Sequence, residues 1–104
     1  MKVLFHVDEE DKWEMTLANV KNFLHEEKEA NLSVVANGPA VKYYTDMNKL
    51  EFELKEKVDF VACNNAMKGH GIKLEQIDKS IRIVNAGVVE IAKKQFEGYA
   101  YIRP

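Results

Sequence analysis

The residues of this 104-residue chain that are best suited to chemistry surround its one cysteine, Cys63. An apolar run of strand length, residues 58–62, ends directly before the cysteine, and a short polar helix signal begins at Asn64. The sulfur is therefore predicted at the carboxyl end of a strand, where open α/β sheets place their ligands. The positive end of the following helix would favour a thiolate over a thiol. This stretch predicts a rigidly held, nucleophilic thiol.

Small polar residues recur in the turns that would share a sheet edge with Cys63. These turns follow the second, third and fourth predicted strands and contain Asn37, Gly38, Asn64, Asn65, Asn85 and Gly87. Asparagine is a preferred helix cap, so one interpretation is that these asparagines only cap the helices that follow. The other interpretation is a neutral, hydrogen-bonding rim around the thiol. We predict these six residues as the ligand-binding residues of a crevice at Cys63.

Other interpretations of Cys63 are a buried packing residue or one member of a pair. A cysteine at a strand end commonly packs as a small hydrophobic side chain. The absence of a second cysteine excludes a CxxC redox pair and a cysteine-rich zinc site within the chain, and it leaves a disulfide-linked dimer through Cys63 as a further alternative. A histidine base would have to be His6 or His70, and His70 would lie roughly 10 Å away along the predicted helix. His6 precedes the first turn by two residues, which places it closer to the crevice.

Composition and charge indicate one globular domain over residues 1–104 and exclude several kinds of partner. The chain is 46% hydrophobic and 31% charged, with a net charge of -2 and no basic cluster, so nucleic acid is not an expected partner. No apolar span reaches membrane length, and the amino terminus becomes acidic too early for a signal peptide. We therefore expect a cytoplasmic protein. With scattered histidines and no phosphate-binding fingerprint, the sequence predicts no metal and no cofactor.

The elements that position Cys63 follow from alternating strand and helix patterns. Strands are predicted at residues 2–7, 31–36, 58–62, 80–84 and 99–102. Helices are predicted at residues 12–28, at 39–57 in two pieces, at 64–70 and at 88–97, with one further turn at 74–77. The break in 39–57 is expected at Thr45 and Asp46, and Asp11 and Glu14 have the spacing of a capping box. This order predicts an α/β three-layer sandwich around a five-stranded, mostly parallel sheet.

Apolar residues at helical spacing predict which side of each helix packs on the sheet. In the first helix these residues are Trp13, Leu17, Val20 and Leu24. In the two pieces of 39–57 they are Val41 and Tyr44, then Met47, Leu50 and Leu54. In the last helix they are Val88, Ile91, Ala92 and Phe96. The order of the strands in the sheet has no local signal, so the sequence does not predict it.

Residues 60–72, FVACNNAMKGHGI, resemble the strand–cysteine–helix segment of the DsrE/DsrF-like family, which includes the TusD-type sulfur carriers. Residues 37–41, NGPAV, resemble the second turn of that family, and residues 84–91 and 98–104 resemble its carboxyl end. The likeness covers essentially the whole chain and is closest to a small stand-alone branch. After the cysteine, this chain has asparagine, lysine and histidine where the characterised carriers are richer in alanine and arginine. The substrate and partner of those carriers therefore do not transfer.

The resemblance implies a five-stranded parallel sheet, assembly into trimers or hexamers, and a sulfur-carrying cysteine at the position of Cys63. In the characterised members, that cysteine accepts sulfane sulfur as a persulfide and passes it to a partner protein. The first hypothesis is therefore a sulfur-trafficking, sulfurtransferase-like protein with sulfur donor and acceptor proteins as partners. The alternative is a non-catalytic oligomeric binding module whose crevice takes a small anion or nucleotide. Five aromatic residues either contribute to a subunit interface or pack under the helices: Tyr43, Tyr44, Phe52, Tyr99 and Tyr101.

Overall fold

Five parallel strands form one sheet in the computed structural model, which describes residues 1–46 and 49–104. The strands are β1 (Lys2–Val7), β2 (Asn31–Ala36), β3 (Val58–Cys63), β4 (Arg82–Val84) and β5 (Ala100–Ile102). Their order across the sheet is β4-β3-β2-β1-β5, and every neighbouring pair is parallel. The predicted α/β class and the five-stranded parallel sheet are confirmed.

Helices connect consecutive strands. They are α1 (Trp13–Glu26), α2 (Phe52–Lys57), α3 (Asn64–Gly69) and α4 (Gly87–Phe96), with 3-10 segments at Glu10–Lys12, Gly38–Thr45 and Leu74–Gln76. The predicted break near Thr45 is confirmed because the 3-10 segment ends there. Met47, a predicted packing residue, lies outside the described residues, whereas Leu50 and Leu54 are buried. No helix in the described ranges combines the length and the apolar character needed to cross a membrane.

The direction of the strand connections decides which face of the sheet each helix covers. From β1 to β4 the chain steps across the sheet in one direction, and between β4 and β5 it returns over three strands. Because crossovers between parallel strands are right-handed, the first three connections lie on one face and α4 lies on the other. We call these the α1 face and the α4 face.

The α1 face contains the larger part of the core. Alternate strand residues point to it and are buried there: Val3, Phe5, Val7, Leu32, Val34, Ala36, Val58, Phe60 and Ala62. Trp13 and Tyr44 pack over them, and each of these polar aromatic residues has a hydrogen-bond partner. Trp13 Nε1–H donates to the Ala40 carbonyl at 2.8 Å, and Tyr44 O–H donates to the Val61 carbonyl at 3.1 Å.

The α4 face has a smaller apolar core. Leu4, Val35 and Val61 form a buried cluster with Ile91 of α4. Further strand residues with the same alternation are polar or lie towards the strand ends: His6, Ser33, Asp59, Cys63, Arg82, Val84 and Tyr101. This face therefore combines a small apolar centre with functional groups.

Two of the local predictions are wrong. The expected capping box of Asp11 and Glu14 does not form, since Asp11 belongs to the first 3-10 segment and α1 is capped at Lys12 without a side-chain bond. The predicted inward side of α4 is also wrong at three of its four residues, because Val88 is 65% exposed, Phe96 is 94% exposed and Ala92 is exposed as well. Gly87 and Ile91 are the residues of α4 that are buried.

The start of β4 also differs from its prediction. The strand begins at Arg82 and not at Ser80. The backbone N–H and the hydroxyl of Ser80 both donate to the Asp78 carboxylate, at 3.0 and 2.9 Å. These two hydrogen bonds hold Ser80 in a turn, so the strand begins two residues later, at Arg82.

Candidate functional site

Cys63 is both the last residue of β3 and the capping residue of α3. Its extended backbone, with φ -81 and ψ 114, allows the side chain to turn back over the first helical turn. There the backbone N–H of Ala66 donates to the Cys63 Sγ at 3.4 Å. The sulfur therefore takes the place of the side-chain oxygen that usually accepts this N–H at the start of a helix. The residue is 7% exposed, so only a small part of it reaches the surface at the edge of the sheet.

The first residue of α4, Gly87, packs directly against Cys63 and Asn37. A Cβ atom on Gly87 would lie 3.2 Å from the Cβ atoms of both residues and 3.7 Å from the Cys63 Sγ. Contacts of 3.2 Å are tighter than nine in ten real Cβ contacts, so the space at this position favours a residue without a side chain. The turns after β2, β3 and β4 therefore meet beside Gly87. Because the Cβ atoms of Asn37 and Cys63 both lie 3.2 Å from the same position, they are at most twice 3.2 Å apart.

Asn37 is held by a histidine on the neighbouring strand. His6 Nε2 lies 2.9 Å from Asn37 Oδ1, and His6 Nδ1 lies 2.6 Å from the Tyr101 hydroxyl. An amide oxygen can only accept, so Nε2 carries the hydrogen and donates it. In the neutral ring Nδ1 is then an acceptor for the Tyr101 O–H. The result is a chain of hydrogen bonds from β5 across β1 to the end of β2.

Gly38 brings the turn after β1 to the same edge. Its φ is +55°, a conformation that favours glycine, and a Cβ atom there would lie 3.1 Å from the Asp8 carbonyl oxygen. The carboxylate of Asp8 in turn forms an ion pair with Arg103 at 2.9 Å. The carboxyl ends of β1 and β2 are therefore joined beside Asn37.

The asparagines in the turns do not cap the helices with their side chains. Asn37 precedes the 3-10 segment and Ala86 precedes α4, in both cases with no side-chain capping bond. At α3 the cap is the sulfur of Cys63. Asn65 and Asn85 meet through their backbones instead, since the Asn65 N–H donates to the Asn85 carbonyl at 3.2 Å. The capping interpretation of the asparagines is therefore wrong.

The predicted site residues are thus gathered at one edge, but in different ways. Asn37 and Gly87 lie against Cys63, and Gly38 adjoins Asn37. Asn64 is half-buried at the start of α3, whereas the side chains of Asn65 and Asn85 are exposed at the rim. Their role in binding a ligand remains a prediction. The described residues contain no group of three or more potential metal ligands.

Two residues next to the site have contacts that the sequence does not indicate. The sequence predicts Tyr101 only as an interface or packing residue and gives no partner for His6. Tyr101 lies opposite Leu4 in the register of β5 with β1, which puts its side chain on the same face as His6. Strand alternation predicts which face of its strand each side chain occupies. The contact also requires that β1 and β5 be neighbours, and the sequence does not predict this strand order.

Comparison with known proteins places this geometry in a family. The sequence profile of the DsrE/DsrF-like family matches residues 1–104. The structure is similar to MTH1491, a protein of unknown function from Methanobacterium thermoautotrophicum, with 30% identity, a TM-score of 0.86 and coverage of 99% of this chain and 98% of that one. It also has the fold of the ychN protein from E. coli, with 14% identity, a TM-score of 0.77 and coverage of 100% and 99%. No curated protein matches the sequence. The chain belongs to the DsrE/DsrF-like family.

Proposed function

We propose that this protein carries sulfane sulfur as a persulfide on Cys63 and transfers it between partner proteins. Membership of a family associated with sulfur relay supports this proposal. The single observation that carries it is the hydrogen bond from the Ala66 N–H to the Cys63 Sγ at the end of a rigid strand. A sulfur that accepts a backbone N–H is prepared to hold negative charge both as a thiolate and as a persulfide.

The transfer is an exchange between sulfur atoms in which no net oxidation occurs. The Cys63 thiolate attacks the outer sulfur of a donor persulfide, a new S–S bond forms on Cys63, and the donor leaves as its thiolate. In the second step the thiolate of the acceptor attacks the outer sulfur on Cys63. Cys63 then leaves as a thiolate, whose charge the Ala66 N–H stabilises. Rates of such exchange depend on how well the leaving sulfur carries charge.

The burial of Cys63 limits how a donor can approach. With the residue 7% exposed, the donor sulfur has to enter over the rim that carries the exposed side chains of Asn65 and Asn85. These amides offer both donors and acceptors, which suit the backbone of a partner loop. We therefore assign Asn65 and Asn85 to recognition of the partner, and Asn37, Asn64 and Gly87 to the inner wall.

The test is sulfur loading followed by intact mass. The folded protein is incubated with polysulfide or with a protein persulfide, and a mass increase of one sulfur atom is expected on the wild type. Cys63→Ser is expected to remain folded and to gain no sulfur, since Cys63 is the only cysteine. Reduction should remove the added sulfur from the wild type. Loading of Cys63→Ser to the wild-type level would overturn the proposal.

A second candidate function is a non-catalytic module whose crevice binds a small anion or nucleotide. The observation that favours it is the burial of Cys63 beneath Gly87, which is the environment of a packing residue. Native alkylation of Cys63 separates the two candidates. The carrier is expected to react in the folded state, because its thiolate has to be reachable by a donor. The binding module is expected to react only after denaturation.

We also propose that copies of this chain associate through α4, in line with the trimers or hexamers that the resemblance implies. Val88, Val89 and Phe96 are exposed apolar side chains on that helix. Exposed apolar surface of this kind is typical of subunit interfaces. Of the five aromatic candidates, Phe52 and Tyr101 are exposed, whereas Tyr44 is fully buried in the core.

Sedimentation of two charge variants tests this assembly. Phe96→Glu is expected to dissociate the oligomer, because it places a carboxylate in the apolar contact. Gln95→Glu is the matched control, since the neighbouring residue is also exposed and gains the same charge. An unchanged oligomer in Phe96→Glu, or a monomeric wild type, would exclude association through α4.

A further inference from the structure

We infer that the exposed apolar side of α4 docks into an apolar groove between α1 and β5 of a second copy of this chain. The residues on that side of the helix are Val89, Ala92 and Phe96, which we call the α4 stripe. The inference rests on the proposed association of copies through α4 and deepens it, since it names the surface that α4 meets. It does not depend on the persulfide chemistry at Cys63.

The groove results from the way in which β5 joins the sheet. The chain reaches β5 through α4, so the segment that leads into this strand covers the α4 face and leaves a groove on the α1 face. On the α1 face, Ile102 of β5 lies beside Phe5 in the register of the two strands. We call this space the β5 groove, and the residues that line it include Met1, Phe5, Phe23, Glu26, Glu27 and Ile102.

The β5 groove is apolar at its floor and acidic at its edge. Phe5 is almost fully buried and makes an edge-to-face contact with Phe23, with 6.2 Å between the ring centres. Phe23 and Ile102 are half-buried, whereas Glu26 and Glu27 are exposed. The groove has a volume of about 400 Å³, which is within the range of binding pockets. It therefore suits an apolar side chain that is accompanied by a cation.

The α4 stripe has the spacing of a helix that docks into a groove. Val89, Ala92 and Phe96 are exposed and follow one another at positions i, i+3 and i+7. Phe96 is the most exposed of them, at 94%. Gly87 and Ile91 lie on the opposite side of the helix and are buried against the sheet. The helix thus packs on its own sheet and still presents a second apolar side.

The charges beside the α4 stripe and the β5 groove have opposite signs. Lys93 is exposed and lies one helical turn from both Val89 and Phe96, so it flanks the stripe. Within residues 1–46 and 49–104, the side chains of Lys93, Glu26 and Glu27 form no ion pair. Insertion of the stripe into the groove of a second copy would bring the lysine to the two carboxylates. This complementarity favours the groove as the surface that receives the stripe.

The presence of both surfaces on one chain favours a second copy as the occupant of the groove. A free monomer would expose the stripe and the groove together, whereas soluble monomers rarely expose large apolar patches. Packing of the stripe on the stripe of another copy would leave the groove of each copy uncovered. Docking of the stripe into the groove covers both surfaces. Such a contact between different surfaces is head-to-tail and builds closed rings, in agreement with the trimer that the resemblance implies.

The experiment is the mixing of two variants, measured by sedimentation velocity. Phe96→Glu disrupts the stripe and leaves the groove intact, and Asn22→Trp fills the groove, which Asn22 lines, and leaves the stripe intact. Each variant alone is expected to raise the dissociation constant of the oligomer by about 30-fold or more. The mixture is expected to form a heterodimer, because one intact stripe and one intact groove remain. His25→Trp is the matched control, since this exposed residue lies on the side of α1 that faces α2.

A charge swap tests the alignment of the stripe in the groove. Lys93→Glu is expected to raise the dissociation constant by about 3- to 10-fold, as is Glu26→Lys combined with Glu27→Lys. With all three changes in one chain the charges are again opposite, so the wild-type affinity should return. Lys79→Glu, at an exposed lysine outside both surfaces, is the control and should leave the affinity unchanged.

The outcomes separate this inference from the proposals of association and of sulfur transfer. If Phe96→Glu dissociates the oligomer but Asn22→Trp does not, association through α4 stands and docking into the β5 groove fails. Docking also fails if the mixture of the two variants stays monomeric. A monomeric wild type would overturn both and leave the groove to a different protein. A wild type that forms the contact but accepts no sulfur would remove the persulfide function alone.

Discussion

The two faces of the sheet divide stability and chemistry between them. On the α1 face the bulky side chains of Trp13, Tyr44 and Phe60 are fully buried under three connections. On the α4 face the buried cluster consists of four smaller aliphatic residues. The strands are the same, so the difference comes from the right-handed crossovers, which put most of the covering segments on one side. The less covered side is left for polar groups.

On the α4 face, ion pairs add to the contacts that the small apolar core makes between α4 and the sheet. Arg82 of β4 bridges Asp59 of β3, at 2.8 Å, and Glu90 of α4. Lys94 of α4 lies 3.4 Å from the Asp59 carboxylate, and the Ser33 hydroxyl donates to it at 3.1 Å. The network ties α4 to two strands and so keeps Gly87 in place over Cys63. On the α4 face, these ion pairs help to position α4 beside the Cys63 site, whereas the apolar core of the α1 face packs against the opposite side of the same strands.

The largest expected effect of a single substitution is on the α1 face. Trp13→Ala removes the stacked contact with Tyr43 and the bond to Ala40, and it should reduce the free energy of unfolding by about 3–5 kcal/mol. Ile91→Ala, the counterpart on the α4 face, should cost about 2 kcal/mol, since its cluster is smaller. Urea unfolding measures both. Equal losses would show that the two faces contribute alike to stability.

A pair of neighbouring residues gives a sharper comparison. Ala62 and Cys63 follow one another on β3, and Ala62 is fully buried on the α1 face. Ala62→Ser would bury a hydroxyl in an apolar environment, at a cost of about 1–3 kcal/mol. Cys63→Ser should cost about 1 kcal/mol or less, because its oxygen can accept the Ala66 N–H.

Urea unfolding and sulfur loading together decide this prediction. Ala62→Ser is expected to lose stability and to keep sulfur loading, whereas Cys63→Ser should lose loading and keep its stability. A Cys63→Ser variant that is as unstable as Ala62→Ser would mean that the thiol is chiefly a packing residue. That result would favour the binding module over the carrier.

Local patterns were sufficient for the three inner strands, β1 to β3, and for the position of the cysteine. Strands buried on both faces form continuous apolar runs, so β2 is predicted to the residue and β3 extends only to Cys63 itself. The junction of β3 with α3 is also local, because the polar residues that follow Cys63 cannot continue a buried strand. Local patterns do not predict features that depend on contacts between elements distant in the sequence.

The orientation of α4 and the His6 pair depend on such contacts. The apolar residues Val88 and Phe96 predict an inward side, but the close approach of Gly87 to Cys63 sets the rotation of the helix. His6 meets Tyr101 only because β5 returns to the side of β1. Neither the packing space at residue 87 nor the strand order has a local signal in the sequence. The sequence therefore predicts that these residues gather at one edge of the sheet, but not the contacts that connect them.

The smallest expected effect is the pH dependence of the charged network on the α4 face. Burial opposes the ionisation of Asp59, but the hydrogen bonds and charge of Arg82, with Lys94 and Ser33, outweigh it and hold the pKa of that carboxyl below its ordinary value. Because the folded pKa is the lower one, the stabilisation is complete above the unfolded value of about 3.9 and is lost as the pH falls through the folded pKa. For this half-exposed network we expect about 1 kcal/mol or less.

Thermal unfolding of Asp59→Asn between neutral pH and acid tests this contribution. The variant should be less stable than the wild type at neutral pH, and the difference should shrink as the pH falls below about 4. Asp78, whose carboxyl pKa is lowered mainly by its bond to Lys55, also loses stabilisation in acid, so only the difference between the two proteins isolates Asp59. Glu56→Gln, an exposed residue of α2, is the control and should change little. A difference that stays constant with pH would mean that Asp59 acts through packing, and the α4 face would then resemble the α1 face more than its charges indicate.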